Sequence, residues 1–166
     1  MKLLEADVLA DAISSAVAQT IQATFSTGAK QESRAPAPDQ KLKADVSGIL
    51  TLSQKDAGGL LVISFPRDTI CKLLARIYGK TLNKGDPAVN MAVGELTNVV
   101  YASAKKGLNE NGHELGMAIP SVIVGDQHFV FAHFRGEITE QTFSTADGPF
   151  RVYTCLRHRA ATAQAA

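Results

Sequence analysis

Apolar residues recur at steps of three and four along three stretches of the chain, the spacing of a helix with one buried face. The first stretch spans residues 3 to 25, and Gly28 is predicted to end this helix. The second follows Pro66, where a stripe of isoleucine and leucine residues stops at Gly79. This second helix is predicted to cover a sheet.

The third helical stretch is the longest and spans residues 88 to 111. Asp86 is placed to cap its amino terminus with a side-chain oxygen, and Pro87 suits the first helical position. Gly112 is predicted to follow the last turn. At about 100° per residue, one broad face of this helix is predicted to be core. That face contains Val89, Ala92, Val93, Leu96, Val99, Val100, Ser103 and Gly107.

Alternating apolar and polar residues elsewhere in the chain predict strands. Two such runs are separated by a glycine turn at residues 55 to 59, which predicts a β-hairpin. Proline has no N–H for a central strand, so the polar stretch before the hairpin is predicted to be a loop or an edge strand. Pro120 likewise marks its strand as an edge or bulged one. The predicted ranges are 29–45 for the polar stretch, 46–54 and 60–65 for the hairpin, and 114–124, 128–138 and 149–158 for the later strands.

This order of elements predicts an α+β fold of two layers, with a largely antiparallel sheet and the helices on one face. The length is that of one domain, which is predicted to span residues 1–159. Residues 160–166 carry no core pattern and are predicted to form a disordered tail.

Two polar residues on the longest predicted helix are candidates for chemistry. Glu95 and Asn98 are three residues apart, so they are neighbours on the helix surface, and both point away from the apolar face. Asparagine is a mediocre helix former, so its place inside a helix favours a functional role. On spacing alone, a solvated face with one acid and one amide is the commoner interpretation. The surrounding residues predicted to contact a partner are Met91, Gly94, Ala102 and Lys105.

Charge and composition argue against several classes of partner. The formal net charge is +1 with 20% charged residues, so neither a basic surface for nucleic acid nor a polybasic segment for a membrane is predicted. No apolar run reaches the length of about 18 residues that is typical of a membrane span. Acidic residues interrupt the amino-terminal stretch where a signal peptide would be apolar. These observations predict a cytoplasmic protein.

The cysteines and histidines show no spacing that predicts a metal or nucleophile site. Cys71 and Cys155 lie in a helical and a strand pattern and are predicted to be buried thiols. His128 and His133 are five residues apart on one predicted strand, so they face opposite sides and cannot form a metal pair. The G-x-S-x-G motif of a serine hydrolase does not occur. The remaining histidines, predicted at the surface, are His113 and His158.

Two segments of the sequence resemble a known family. Residues 89–100, VNMAVGELTNVV, and residues 116–125, GMAIPSVIVG, resemble stretches of the CheX branch of the CheC/CheX/FliY phosphatases of bacterial chemotaxis. The likeness covers residues 46–157. It implies an enzyme that hydrolyses the phospho-aspartate of a CheY-type response regulator, with Glu95 and Asn98 as its catalytic residues.

The resemblance also implies how the two residues act. Asn98 would hold the attacking water in line with the bond to be broken, and Glu95 would pair with a lysine of the regulator. A Mg²⁺ ion is implied on the acidic residues of the regulator, and no cofactor is implied on this chain. The family further implies a homodimer, for which the strands around Pro120 and at residues 150–156 are candidates.

The sequence departs from the family pattern beside the proposed catalytic pair. Ala102 stands where relatives tend to have glycine, and Tyr101 is bulkier than expected, so close approach of the partner is predicted to be altered. A single Glu-x-x-Asn motif is similar to CheX and unlike CheC, which usually carries two. Three other functions stay open. They are a CheX-like module that docks a regulator or another signalling partner without catalysis, a structural component similar to flagellar-switch proteins, and an unrelated metal or nucleophile enzyme.

Overall fold

Three helices and six strands make up the described part of the computed structural model, which covers residues 2–37, 41–83, 85–131 and 137–158. Three strands precede the second and third helices, where the sequence predicts two or three, and three follow them. In chain order the elements are α1 (Ala6–Phe25), β1 (Lys30–Pro36), β2 (Lys41–Gln54), β3 (Ala57–Phe65), α2 (Arg67–Tyr78), α3 (Pro87–Glu110), β4 (Ser121–Phe131), β5 (Ile138–Thr145) and β6 (Gly148–His158).

The six strands form one sheet in the order β1-β5-β6-β3-β2-β4, and every neighbouring pair is antiparallel. β1 and β4 are therefore the edge strands. All three helices share one core cluster with the same face of this sheet. The predicted α+β class, the antiparallel sheet and the placement of the helices on one face are confirmed.

β3 lies at the centre of the core because β2 and β6 flank it on both sides. Leu61 and Ile63 pack against the helices, whereas Leu60 and Val62 belong to a smaller cluster of buried residues. Successive side chains of a strand point to opposite faces of the sheet, so these two pairs lie on different faces. Burial on both faces explains why the sequence of β3 is a continuous apolar run rather than an alternating one.

α3 lies close against β2 and β4, and two glycines permit this approach. A side chain at Gly48 of β2 would overlap the Thr97 hydroxyl and come within 3.2 Å of the Val93 carbonyl. A Cβ atom at Gly94 would stand 3.1 Å from Cγ2 of Val122 in β4. Thr97 is fully buried, and its Oγ1 donates to the Val93 carbonyl at 2.8 Å. These contacts hold α3 at a fixed height above the sheet.

The predicted helix at residues 88 to 111 is confirmed, but its buried face differs from the predicted one. Val99 is 40% exposed and Ser103 is also exposed, so the prediction that they face the core is wrong. The true buried face is rotated by about 60° toward Thr97 and Tyr101. The Thr97 hydroxyl is hydrogen-bonded within its own helix, so a polar residue can occupy a close helix–sheet contact. A face assigned mainly from apolar residues misses this.

The predicted strand at 114–124 needs correction at its start. β4 begins at Ser121, immediately after Pro120, because proline cannot donate to the ladder. It is an edge strand, as predicted, with a register irregularity where it pairs with β2. The separate strand predicted from residue 128 is the continuation of β4, as far as Phe131.

The pattern of the sequence does not predict β5, because most of its residues are polar. Both neighbours, β1 and β6, bond to its backbone, so the strand does not depend on an apolar face. The buried Gln141 donates from Nε2 to the Ala10 carbonyl of α1 at 3.1 Å.

β6 lies between β5 and β3, so the prediction of an edge for dimer pairing at residues 150–156 is wrong.

Several local predictions are tested by individual residues. The polar stretch before the hairpin contains edge strand β1, as predicted, and Gly79 ends α2 with a positive φ. Cys71 and Cys155 are buried, which is also confirmed. α1 ends at Phe25, as predicted, but it begins at Ala6 rather than at residue 3, and Ser26 rather than Gly28 adopts the left-handed conformation at its carboxyl end.

The prediction that His113 lies at the surface is wrong, whereas the same prediction for His158 is confirmed. His113 is 2% exposed, and its Nδ1 lies 3.1 Å from the Lys2 carbonyl, a contact that no local pattern indicates. His158 is exposed. The predictions for His133 and for a disordered tail at 160–166 fall outside the described residues. Within the described ranges no helix has the length and apolar character needed to cross a membrane.

Leu96 tests the placement of α3 on the sheet. Its side chain is 5% exposed, so Leu96→Ala should lower the free energy of unfolding by about 2–5 kcal/mol through lost burial and the cavity left behind. A denaturant titration measures this change. Val99→Ala on the exposed side of the same helix is the matched control and should cost much less. Equal effects of the two substitutions would show that the face of α3 is wrongly assigned.

Candidate functional site

The candidate site lies on the solvent side of α3, whose start is fixed by local hydrogen bonding. Asp86 adopts an extended conformation, and its Oδ1 accepts the backbone N–H of Ala88 at 2.9 Å. Pro87 occupies the first helical position, where its missing N–H has no intrahelical partner to lose. The predicted cap is confirmed. The helix therefore begins at a defined residue, and every side chain after it has a defined direction.

Glu95 and Asn98 are both exposed, as the sequence predicts. Residues three apart on a helix have Cβ atoms about 5–6 Å apart, so the carboxylate and the carboxamide stand side by side. Within the described part of the chain neither side chain makes a hydrogen bond or an ion pair. Their hydrogen-bonding groups are therefore available to another molecule.

The four predicted partner-contact residues surround this pair unevenly. Met91 is 75% exposed, and Ala102 is exposed one turn beyond Asn98. Lys105 is half-buried. Gly94 is also half-buried and faces Val122, so its lack of a side chain serves the packing of α3 on β4. Contact of these residues with a partner stays a prediction. We call the exposed row Met91, Glu95, Asn98 and Ala102 the α3 ridge.

Tyr101 does not protrude from the α3 ridge, although its bulk in the sequence suggests an obstacle to a partner. The residue is 3% exposed, and its hydroxyl donates to the Gly116 carbonyl at 2.6 Å. Burial raises the pKa of the phenol, so the hydroxyl stays protonated and remains a donor at neutral pH. Tyr101 therefore links α3 to the segment that precedes β4.

Residues 113–120, between α3 and β4, are a feature that sequence reasoning missed. The Asn109 side chain bonds both backbone groups of Leu115, accepting from N at 2.9 Å and donating to O at 3.3 Å. Met117 and Ile119 are each 91% exposed. The sequence signal is the run GMAIP, in which two large apolar residues alternate with small ones just before a proline. Only the structure reveals that they point into solvent.

Metal and nucleophilic chemistry is disfavoured at the described groups that could supply it. They contain no group of three or more His, Cys, Asp and Glu that could hold a metal ion. His128 Nε2 lies 2.9 Å from Ser47 Oγ, a contact that the sequence does not predict because the two residues are far apart in it. Ser47 is fully buried, however, and its hydroxyl is also hydrogen-bonded to that of Ser64 at 2.8 Å. Burial raises the pKa of the Cys155 thiol, which disfavours the reactive thiolate.

The α3 ridge is not part of a described cavity. A cavity of about 430 Å³ is lined by Ser64, Thr142 and Arg151 among others, but neither Glu95 nor Asn98 lines it. The other described cavities also exclude both residues. Small-molecule sites are usually concave. An exposed carboxylate and carboxamide on a helix surface instead suit a macromolecular partner that brings its own reactive group.

The comparisons with known proteins agree with this architecture. A CheC-like superfamily protein from Shewanella sp. PV-4 is 25% identical, with a TM-score of 0.85 over 93% of this chain and 99% of that one. The chemotaxis protein CheX from Vibrio vulnificus is 24% identical, with a TM-score of 0.83 over 90% and 99%. The CheX of a CheX–CheY–BeF3–Mg²⁺ complex from Borrelia burgdorferi is 15% identical, with a TM-score of 0.73 over 90% and 98%.

No curated protein matches the chain by sequence. The model of one protein family does match, over residues 46–139, which is more than half of the chain. The matched range contains β3, α2, α3 and β4 and most of β2, and so includes Gly48, Glu95 and Asn98. The chain belongs to the chemotaxis phosphatase CheX family.

Proposed function

We propose that this protein hydrolyses the phospho-aspartate of a CheY-type response regulator, with Asn98 and Glu95 as the working residues. The observation that carries the proposal is the α3 ridge, on which an acid and an amide stand exposed and unpaired within the described part of the chain. The ridge is convex, so the reacting group must come from the partner. Family membership supports the choice of a phosphorylated regulator as that partner.

Asn98 has the role of positioning the attacking water. A phospho-aspartate is an acyl phosphate with a good leaving group, so its hydrolysis needs positioning and charge stabilisation more than a strong base. A carboxamide can accept a hydrogen bond from water and donate one, which holds the water in line with the phosphorus–oxygen bond to be broken. In this proposal the Mg²⁺ ion belongs to the regulator, where it neutralises charge on the phosphoryl group.

Glu95 has the role of docking the regulator. An exposed carboxylate one turn before Asn98 can pair with a cation of the partner, for which the regulator's active-site lysine is the candidate. Charge-assisted hydrogen bonds are short and directional, so this pair would fix the partner along the helix. Catalysis by positioning tolerates only displacements well below about 1 Å. A second contact beside Asn98 therefore helps to hold the regulator in the required position.

The Borrelia burgdorferi structure supports the type of partner. That CheX forms a complex with CheY, BeF3 and Mg²⁺, and its fold is similar to this chain with a TM-score of 0.73. The roles of Asn98 and Glu95 are argued from the α3 ridge itself, since the two chains are 15% identical. A regulator-docking module without catalysis uses the same ridge and is the alternative outcome of the experiments below.

Asn98→Ala should separate chemistry from binding. Loss of the water-orienting amide should lower kcat by roughly 10²-fold, about 3 kcal/mol of barrier, while the dissociation constant for the regulator changes little. Loss of phosphate, measured over time with the phosphorylated regulator in saturating excess over the enzyme, reports kcat. Circular dichroism checks the fold, which should survive because Asn98 is exposed and alanine is the better helix former.

Glu95→Ala is the matched comparison on the same helix. It should weaken regulator binding as well as the rate, and the difference from wild type should shrink at high salt, because a charged contact is lost. A folded Asn98→Ala variant that dephosphorylates at the wild-type rate would reject the mechanism. Tight regulator binding without any turnover by the wild type would favour the docking module.

We also propose that the protein is a homodimer in which the β4 edge pairs across a two-fold axis. β4 is hydrogen-bonded only on its β2 side within the described sheet, and Ile123 and Val124 are 39% and 42% exposed. An apolar edge strand with free backbone groups favours such pairing. Light scattering at micromolar concentration should give a mass of two chains. A mass of one chain would count against the proposed dimer.

A further inference from the structure

The strongest unexplained feature is a pair of large apolar side chains in solvent. Met117 and Ile119 are each 91% exposed, and Ala118 between them packs toward the main core. Single exposed apolar residues are common on soluble proteins, whereas larger contiguous apolar patches mark interaction sites, and these two exposed residues lie only one residue apart. We call Met117 and Ile119 the apolar platform.

The apolar platform is carried on a firmly held segment. Leu115 is 4% exposed and has both backbone groups bonded to the Asn109 side chain. Gly116 donates its N–H to the Ser53 carbonyl at 2.9 Å and accepts the Tyr101 hydroxyl at 2.6 Å. In a mobile loop, apolar residues would be exposed only part of the time. Here the hydrogen bonds of Leu115 and Gly116 hold the segment in place just before the platform, so its two side chains stay exposed.

The same contacts place the apolar platform beside the α3 ridge. The Gly116 carbonyl accepts a hydrogen bond from the Tyr101 hydroxyl, and Val122 packs against Gly94. Gly94 and Tyr101 lie one turn before and one turn after Asn98, and they are only about 10 Å apart along the helix axis. The segment between Gly116 and Val122 therefore flanks the part of α3 that carries Asn98.

One protein interface of standard size is large enough to cover both the α3 ridge and the apolar platform. A standard interface covers about 800 Å² on each partner, which is a disc with a radius of roughly 16 Å. A regulator that brings its phosphoryl group to Asn98 is centred on α3, so a footprint of this size reaches the neighbouring segment. Interfaces of this kind combine an apolar area with a few polar contacts. The α3 ridge supplies polar groups, and the apolar platform supplies apolar ones.

We infer that Met117 and Ile119 form the apolar part of the regulator-docking surface, a conclusion that rests on the proposed function. The regulator would then present an apolar patch beside its phospho-aspartate, next to the cation that Glu95 binds. Docking energy would come from the platform, and the position of the water would come from Asn98. Neither platform residue is a catalytic residue.

The test is the double variant Met117→Gln, Ile119→Thr, which keeps one unbranched and one β-branched side chain but removes apolar surface. The KM for phosphorylated regulator should rise about tenfold or more with kcat unchanged, because the platform contacts exist in the ground state and the transition state alike. The dissociation constant for a beryllofluoride-loaded regulator, which is not hydrolysed, should rise by the same factor. Ile77→Thr, at a 51% exposed residue of α2, is the control and should change neither constant.

The outcomes separate this inference from the proposed function. Unchanged KM and dissociation constants in a folded double variant would overturn the inference, while wild-type turnover would leave the phosphatase proposal standing. If light scattering gives two chains for the wild type and one for the double variant, and the regulator affinity is unchanged, the platform binds a second copy of the chain. That result also overturns the inference. A wild type without turnover would reject the proposed function, and the affinity comparison would still decide the role of the platform.

Discussion

The close contact between α3 and the sheet at Gly48 is the constraint on which the candidate site depends. Any side chain at this position would overlap Thr97, whose own hydroxyl is bonded back to Val93. Because the contact involves helix backbone and a short side chain, the height of α3 above β2 cannot vary much without losing packing. Asn98 immediately follows Thr97, so the backbone from which the carboxamide projects is held by the contact beneath it.

In the proposed reaction, catalysis takes place on a helix surface that lies outside the cavities of the described residues. Glu95 and Asn98 project from a rigid helix, and in the proposed reaction the phosphoryl group, the metal ion and the cation all belong to the regulator. A carboxamide contributes only if it reaches the water in the correct orientation, so rigidity of the helix replaces a pocket. Buried neighbours such as Val93, Val100 and Tyr101 keep the helix from rotating.

The sequence predicts the parts of the fold that local chemistry controls. The cap at Asp86 and the helix end at Gly79 follow from residue type and spacing, and both are confirmed. The outward direction of Glu95 and Asn98 follows from the period of the helix, and it is confirmed as well. Their roles are not tested by the fold, since the pattern Glu-x-x-Asn is short and its function depends on a second molecule.

The features that sequence reasoning misses depend on distant contacts. Thr97 is polar, so the true face of α3 becomes clear only when Gly48 is seen beneath it. His113 is buried because it meets the Lys2 carbonyl, 111 residues away. The segment that carries the apolar platform is held by hydrogen bonds to the Ser53 carbonyl, the Tyr101 hydroxyl and the Asn109 side chain, none of which is adjacent to it in sequence. Periodicity describes one segment at a time and contains no information of this kind.

The central claim is that the contact at Gly48 positions Asn98 for hydrolysis, and the kcat of Gly48→Ala for a phosphorylated regulator tests it most directly. A shift of α3 by a fraction of an ångström to 1 Å should lower kcat by about tenfold to a hundredfold, while circular dichroism and regulator affinity stay close to wild type. The same substitution in a Thr97→Ala background, where the overlapping hydroxyl is absent, should recover part of that loss. A folded Gly48→Ala protein with the kcat of the wild type would contradict the account.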